Sequence, residues 1–181
     1  EFLDDFIIYL EDQDLRHNTI VGYVLKIQSL VRRASQYNYA VDNTYDEIDL
    51  RTEPTNAVFL SMNEITRIYY YKFVRQDKRK AKERIRDMFV LGCLTALRYS
   101  DYSRLTSQNL IDNYIVIRTK KTNVDVKVPA HDYVRGIFSK YAGQVPCGLC
   151  IQYFNKYLKV IMKEIGLNDP ITYSFTKGGK L

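Results

Sequence analysis

Phe2, Leu3, Phe6 and Leu10 recur at intervals of three and four, which puts them on one face of a helix over residues 2–12. Asn18 has the short polar side chain of an N-cap. Beyond it Ile20, Val24, Ile27, Val31 and Ala34 step by four and three, predicting a long amphipathic helix that runs to about Tyr39. Its other face carries Tyr23, Lys26, Arg32 and Arg33. The periodicity stops over residues 42–57, which are acidic and polar and include Pro54. This predicts a helical first domain over residues 1–44, incomplete at its N-terminus, a linker over 45–57 and a second domain over 58–181.

The second part opens with Ser61-Met62-Asn63-Glu64, a capping box, with Leu60 placed to staple onto Ile65. Ile85, Met88, Phe89, Leu91 and Leu94 then mark an apolar helix ending near Leu97. From there the period changes to two. Residues 114–118 and 124–128 are β-branched and alternating, with Thr119 to Asn123 between them, a hairpin with a basic turn. Two further helices are expected, over about 132–141 and 151–165, the second stopped by Gly166. Phe154, Leu158, Ile161 and Ile165 form its apolar stripe. The fold class is therefore mainly α with a small antiparallel β-sheet, α+β.

Composition narrows the classes. With 46% hydrophobic residues the chain can build a packed core, and disorder is not expected. It has no apolar run long enough for a membrane helix and no signal-peptide pattern at its start, so a soluble, cytoplasmic protein without membrane partners is expected. Lys and Arg outnumber Asp and Glu by 27 to 21, and the excess is uneven. Residues 78–84 form a dense basic run, read as a solvated helix face that partly meets DNA. The balance raises the odds of an anionic partner, nucleic acid first. Three cysteines in such a chain argue against a disulfide framework; Cys93, in an apolar stretch, is expected to be a buried thiol.

The chemistry is concentrated at Thr95-Ala96-Leu97-Arg98-Tyr99-Ser100-Asp101. An apolar helix delivers one arginine at its rigid end, where a guanidinium can donate two parallel hydrogen bonds to phosphate oxygens. Asp101 is placed to hold Arg98. The plain alternative is a helix-terminal arginine paired with Asp101 at the surface. The hairpin tip adds a lysine pair, Lys120-Lys121, ahead of Val128-Pro129.

Together these motifs resemble the tyrosine recombinases, or phage integrases. That family carries Thr-Gly-Leu-Arg-x-Ser-Glu/Asp, then a hairpin with a catalytic lysine, then Val-Pro. Here Ala96 stands where the family usually has glycine. The resemblance implies that Arg98 is the first catalytic arginine, Asp101 its supporting acid and Lys121 the hairpin lysine, with Lys120 as its rival. Leu15-Arg16-His17-Asn18-Thr19 with Tyr23 is similar to the helical core-binding domain of prophage and mobile-element integrases. It implies DNA contacts from Asn18, Thr19, Tyr23, Lys26, Arg32, Arg33, Arg104 and Lys120, a double-stranded DNA partner, and a multimer on DNA in a bacterial, phage or mobile-element setting. It also implies metal-free, cofactor-free transesterification through a phosphotyrosyl link. The family completes its site with His-x-x-Arg and a nucleophilic tyrosine, which this sequence lacks: neither His17 nor His131 has an arginine three residues on. The chain is thus expected to bind DNA and not to cut it alone.

Two other readings stay in view. One is a DNA-binding regulator that never carried the chemistry. The other is a zinc nucleobase deaminase, prompted by Pro146-Cys147-Gly148-Leu149-Cys150. The deaminase signature also needs an upstream His-x-Glu, and His131-Asp132-Tyr133 supplies no glutamate.

Overall fold

The computed structural model describes residues 2–41, 45, 48, 50–55, 57–74, 78–146 and 149–172. Two compact units result, one built from Glu1–Val58 with Ile171–Leu181, the other from Phe59–Pro170.

In the first unit α1 (Phe2–Asp12) packs on α2 (His17–Gln36). Leu3 and Leu10 are buried on one side, Ile20, Val21 and Val24 on the other; of the positions the periodicity marks Phe2 is exposed, and Val21 is an addition. Helix α2 starts earlier than Asn18 implies. Its N-cap is Arg16, which makes no side-chain cap hydrogen bond, and Asn18 sits inside the first turn. The side chain of Asn18 has a different use. Its amide donates to the Glu53 carbonyl at 2.9 Å, and its carbonyl accepts the Glu53 N–H at 2.8 Å. Gln28, buried, donates to the carbonyls of Tyr45 and Ile48. These bonds hold residues 45–53 against α2 where they are described. The helix ends at Gln36, three residues short of Tyr39, with Asn38 at positive φ just beyond.

The second unit runs α3 (Met62–Tyr70), α4 (Arg79–Thr95), the short α5 (Tyr99–Tyr102), β1 (Leu110–Ile111), β2 (Tyr114–Arg118), β3 (Asp125–Pro129), α6 (Asp132–Lys140) and α7 (Ile151–Ile165). The capping box forms as the sequence predicts: Ser61 Oγ accepts the Glu64 N–H and the Glu64 carboxylate accepts the Ser61 N–H at 2.7 Å. Helix α4 is central. It buries Ile85, Met88 and Leu91 and packs against α3, α6 and α7. Buried Asp87 ties α4 to α6 by accepting from Lys140 at 2.7 Å and from the Tyr141 hydroxyl at 2.8 Å, while Arg86 pairs with it at 2.6 Å. Burial, then the Asp87 charge, pushes the Tyr141 phenol far above its ordinary range. The strands form an antiparallel sheet in the order β1-β2-β3, with Ile115 opposite Val128 and Ile117 opposite Val126. The predicted hairpin is there, with β3 shifted one residue on. Strand β1 and helix α5 are additions the periodicity is too short to show. Gly166 ends α7 in the left-handed conformation at φ +78°.

Candidate active site and nucleic-acid interface

Arg98 is placed by three local events. Helix α4 ends when Ala96 turns left-handed at φ +53° and its N–H closes on the Gly92 carbonyl. Thr95, buried, returns its hydroxyl to the Leu91 carbonyl at 2.8 Å. The chain then runs extended through Arg98 into α5, and the Arg98 carbonyl accepts the N–H groups of Asp101 and Tyr102. Tyr102 is buried beside Gly92, where a Cβ would stand 2.8 Å from the phenol ring. The absence of that Cβ lets α5 lie close to α4. Burial pushes the Tyr102 phenol well up, as its place in the packing requires.

The other wall is the hairpin tip. Thr119 is buried and closes the turn on itself: its hydroxyl lies 2.8 Å from the Thr122 hydroxyl and accepts the Val124 N–H at 3.2 Å. Asn123 sits at φ +54°, and its N–H reaches the Thr119 carbonyl. Between the walls lies a cleft of about 570 Å³ lined by Thr95, Arg98, Asp101, Thr119 and Thr122, with valines of the hairpin behind. The structure thus brings the arginine segment and the lysine hairpin to one cleft.

Within that cleft Asp101 behaves differently from expectation. It is fully buried, and its Oδ1 accepts the backbone N–H of Lys120 at 2.8 Å and faces Arg104 Nη2 at 3.4 Å. Its link runs to the hairpin, 19 residues on, and not to the Arg98 guanidinium. Among the described residues its Oδ2 has no hydrogen-bond partner. Such an atom costs about 1–3 kcal/mol when buried. Arg98 is exposed and, among the described residues, its guanidinium forms no ion pair or hydrogen bond. Lys120 and Lys121 are likewise exposed at the tip. Arg98 thus stands in the cleft as an uncompensated cation beside a buried acid, with Lys120 and Lys121 exposed on the adjoining turn, an arrangement that attracts a phosphodiester.

The basic run from residue 78 is less free than its composition implies. Arg79 pairs with Glu83 at 2.9 Å, and Lys82 with Glu164 at 2.7 Å. Lys78 and Lys80 remain exposed.

On α2, Thr19, Tyr23, Lys26 and Arg33 are exposed and share one helical face. Leu30 and Tyr37 complete it, exposed and in step with the same period. The Lys26 ammonium lies 5.2 Å from the Tyr23 ring centre. Arg32 is turned about 100° away from Arg33 around the axis. Asn18 is held by Glu53, as described. Leu30 and Tyr37 were legible in principle, because they follow Tyr23 by seven and fourteen residues.

The cysteine and histidine residues do other things. Cys93 is accessible at an apolar groove with Phe89 and Leu158, contrary to the buried thiol expected of its apolar surroundings. The groove leaves one flank of α4 open. His131 caps α6, its Nδ1 accepting the Tyr133 N–H at 3.2 Å. Cys147 and Gly148 lie outside the described residues.

No protein-family model and no curated protein matches the sequence. Solved structures do match in fold. A crystal structure of lambda integrase bound to DNA superposes with a TM-score of 0.65 at 14% identity, covering 98% of this chain and 66% of that one. A lambda integrase dimer bound to a COC′ core site gives 0.62 at 14% identity, covering 91% and 61%. A lambda integrase tetramer bound to a Holliday junction gives 0.56 at 14% identity, covering 87% and 49%. This chain spans about half to two-thirds of their lengths, and shares the α+β fold of these lambda integrase structures.

Proposed function

We propose that this chain is the DNA-binding and first-arginine portion of a site-specific DNA recombinase of the tyrosine type. One observation carries the reading: Arg98 and the turn of the lysine hairpin, through Thr119 and Thr122, line one cleft beside a buried acid that holds the Lys120 N–H. The fold shared with DNA-bound lambda integrase supports it.

In this reading the two N–H groups of the Arg98 fork bind nonbridging oxygens of the phosphodiester, where charge grows in the transition state. Lys121 protonates the departing sugar oxygen, with Lys120 as the alternative donor. Neighbouring cations favour loss of that proton. Asp101 fixes the hairpin that presents the lysine. The attacking tyrosine and a His-x-x-Arg group are absent from this sequence, so this chain alone binds DNA and leaves it intact. Duplex DNA is gripped on its backbone by the Tyr23, Lys26 and Arg33 face. A multimer on DNA and a cytoplasmic, nucleoid-associated setting follow from the same reading.

A binding titration tests the first half. The chain should bind duplex DNA with log K falling linearly in log salt, at about −0.9 per phosphate contacted. No binding, or binding indifferent to salt, contradicts the reading.

A further inference from the structure

The sequence offers Arg104 as a DNA contact, yet its guanidinium is already engaged. Its Nη2 donates to the carbonyl of Arg118 and faces Asp101 Oδ1 at 3.4 Å. The same Oδ1 accepts the N–H of Lys120. The peptide groups on both sides of Thr119 are therefore held from the α5 side, one through an arginine and one through a buried acid. The turn beyond Thr119 is internally bonded, through Thr122, Asn123 and Val124. Fixing two points at its root fixes the tip as a body. Arg118 adds a strut from within, donating from Nε to the Asn123 carbonyl at 3.2 Å.

We propose that Arg104 is a positioning residue of the phosphoryl-transfer site: with Asp101 it clamps the root of the hairpin and so sets where Lys120 and Lys121 stand relative to Arg98. The inference rests on the recombinase reading above and adds a residue to it. Both contacts come from one nitrogen, Nη2, whose two N–H bonds the planar guanidinium holds in a fixed direction, which an ammonium on a flexible stem does not reproduce. Its side chain is 47% exposed, so the pair with Asp101 is screened and adds little to stability. Its effect is geometric. A displacement of about 1 Å in a reacting group costs on the order of a hundredfold in rate.

Amide hydrogen exchange on this chain tests the clamp itself. Arg104→Ala should speed exchange at Thr119 and Lys120 by about tenfold through local opening, and leave Ile115 and Ile117 unchanged. Unchanged exchange at Lys120 overturns the clamp, whatever the protein's function. The catalytic consequence is read in a longer protein that also holds the nucleophile. There Arg104→Ala should slow single-turnover cleavage by about ten- to a hundredfold while DNA affinity stays within about twofold. On a substrate with sulfur at the departing position, which leaves without a proton, most of that defect should vanish. Arg104→Lys should recover only part of the rate. A loss of affinity as large as the loss of rate makes Arg104 a phosphate contact and overturns the proposal. So does an equal defect on the sulfur substrate. If the wild-type protein forms no adduct while the exchange result holds, the recombinase reading fails and the clamp stands as a purely structural one.

Discussion

Ala96 explains one departure from the integrase pattern. The family's glycine falls where α4 must end left-handed, and this chain puts an L-residue there at φ +53°. Cβ crowding in that region costs about 1–2 kcal/mol, part of which glycine returns through its looser unfolded state. Ala96→Gly should therefore raise stability by about 0.5–1 kcal/mol, read as a shift in urea midpoint at constant slope. The side chain of Arg98, two residues on, forms no ion pair or hydrogen bond among the described residues. Its replacement by Ala should leave stability within about 0.5 kcal/mol, as surface changes do. Lys at this position should behave like Ala in cleavage, because it lacks the fork. The type and place of both residues were legible in the sequence. The partner of Asp101 was not. Its bond to the hairpin joins residues 19 apart through a backbone N–H, and a backbone donor leaves no mark in residue identity.

At the scale of elements, helix faces were easiest to read, since burial follows period directly. The 2–12, 132–140 and 151–165 helices and the hairpin arise within a residue or two of expectation. Two failures have physical causes. Asn18 resembles a cap by composition, yet it is drawn into the helix because Glu53 offers its side chain both a donor and an acceptor. Helix α5 is a single turn and β1 two residues long, both below the length at which periodicity exists. The packing of α5 on α4 depends on Gly92. Gly92→Ala should cost about 1–3 kcal/mol by overpacking against Tyr102, less a helix-propensity gain of about 1 kcal/mol. Tyr102→Phe in the same background should not relieve it, because the nearest clash is with the ring. The α3 cap gives a pH signature. Hydrogen bonds from the Ser61 hydroxyl and then its N–H hold the Glu64 carboxyl below its ordinary value of 4.5. The Arg79 hydrogen bond does the same for Glu83. A depressed carboxyl stabilises the fold above its unfolded value and loses that contribution as pH falls through the folded one. Glu64→Gln should therefore narrow the difference in urea midpoint between neutral and acid pH.

At the scale of the whole molecule, neither unit carries the account alone. The first offers a basic and aromatic helix face, the second a cleft lined by Arg98 with two exposed lysines on the adjoining turn. Charge composition signalled a nucleic-acid partner but overstated the basic run, since Arg79 and Lys82 are neutralised within the fold. Replacing Lys26 and Arg33 together by Gln should flatten the salt slope by about two units and weaken binding to any duplex equally, because phosphate contacts carry no sequence information. On the reading proposed above, the Arg98 cleft performs phosphoryl transfer once a nucleophile is supplied. The decisive measurement is trapping on a nicked suicide DNA substrate, with this chain joined in a longer protein that supplies a nucleophilic tyrosine. A covalent protein–DNA adduct should form, and Arg98→Ala should suppress it by about two to three orders of magnitude at undiminished DNA occupancy. An adduct that forms equally well without Arg98, or none from the wild-type protein, would contradict it.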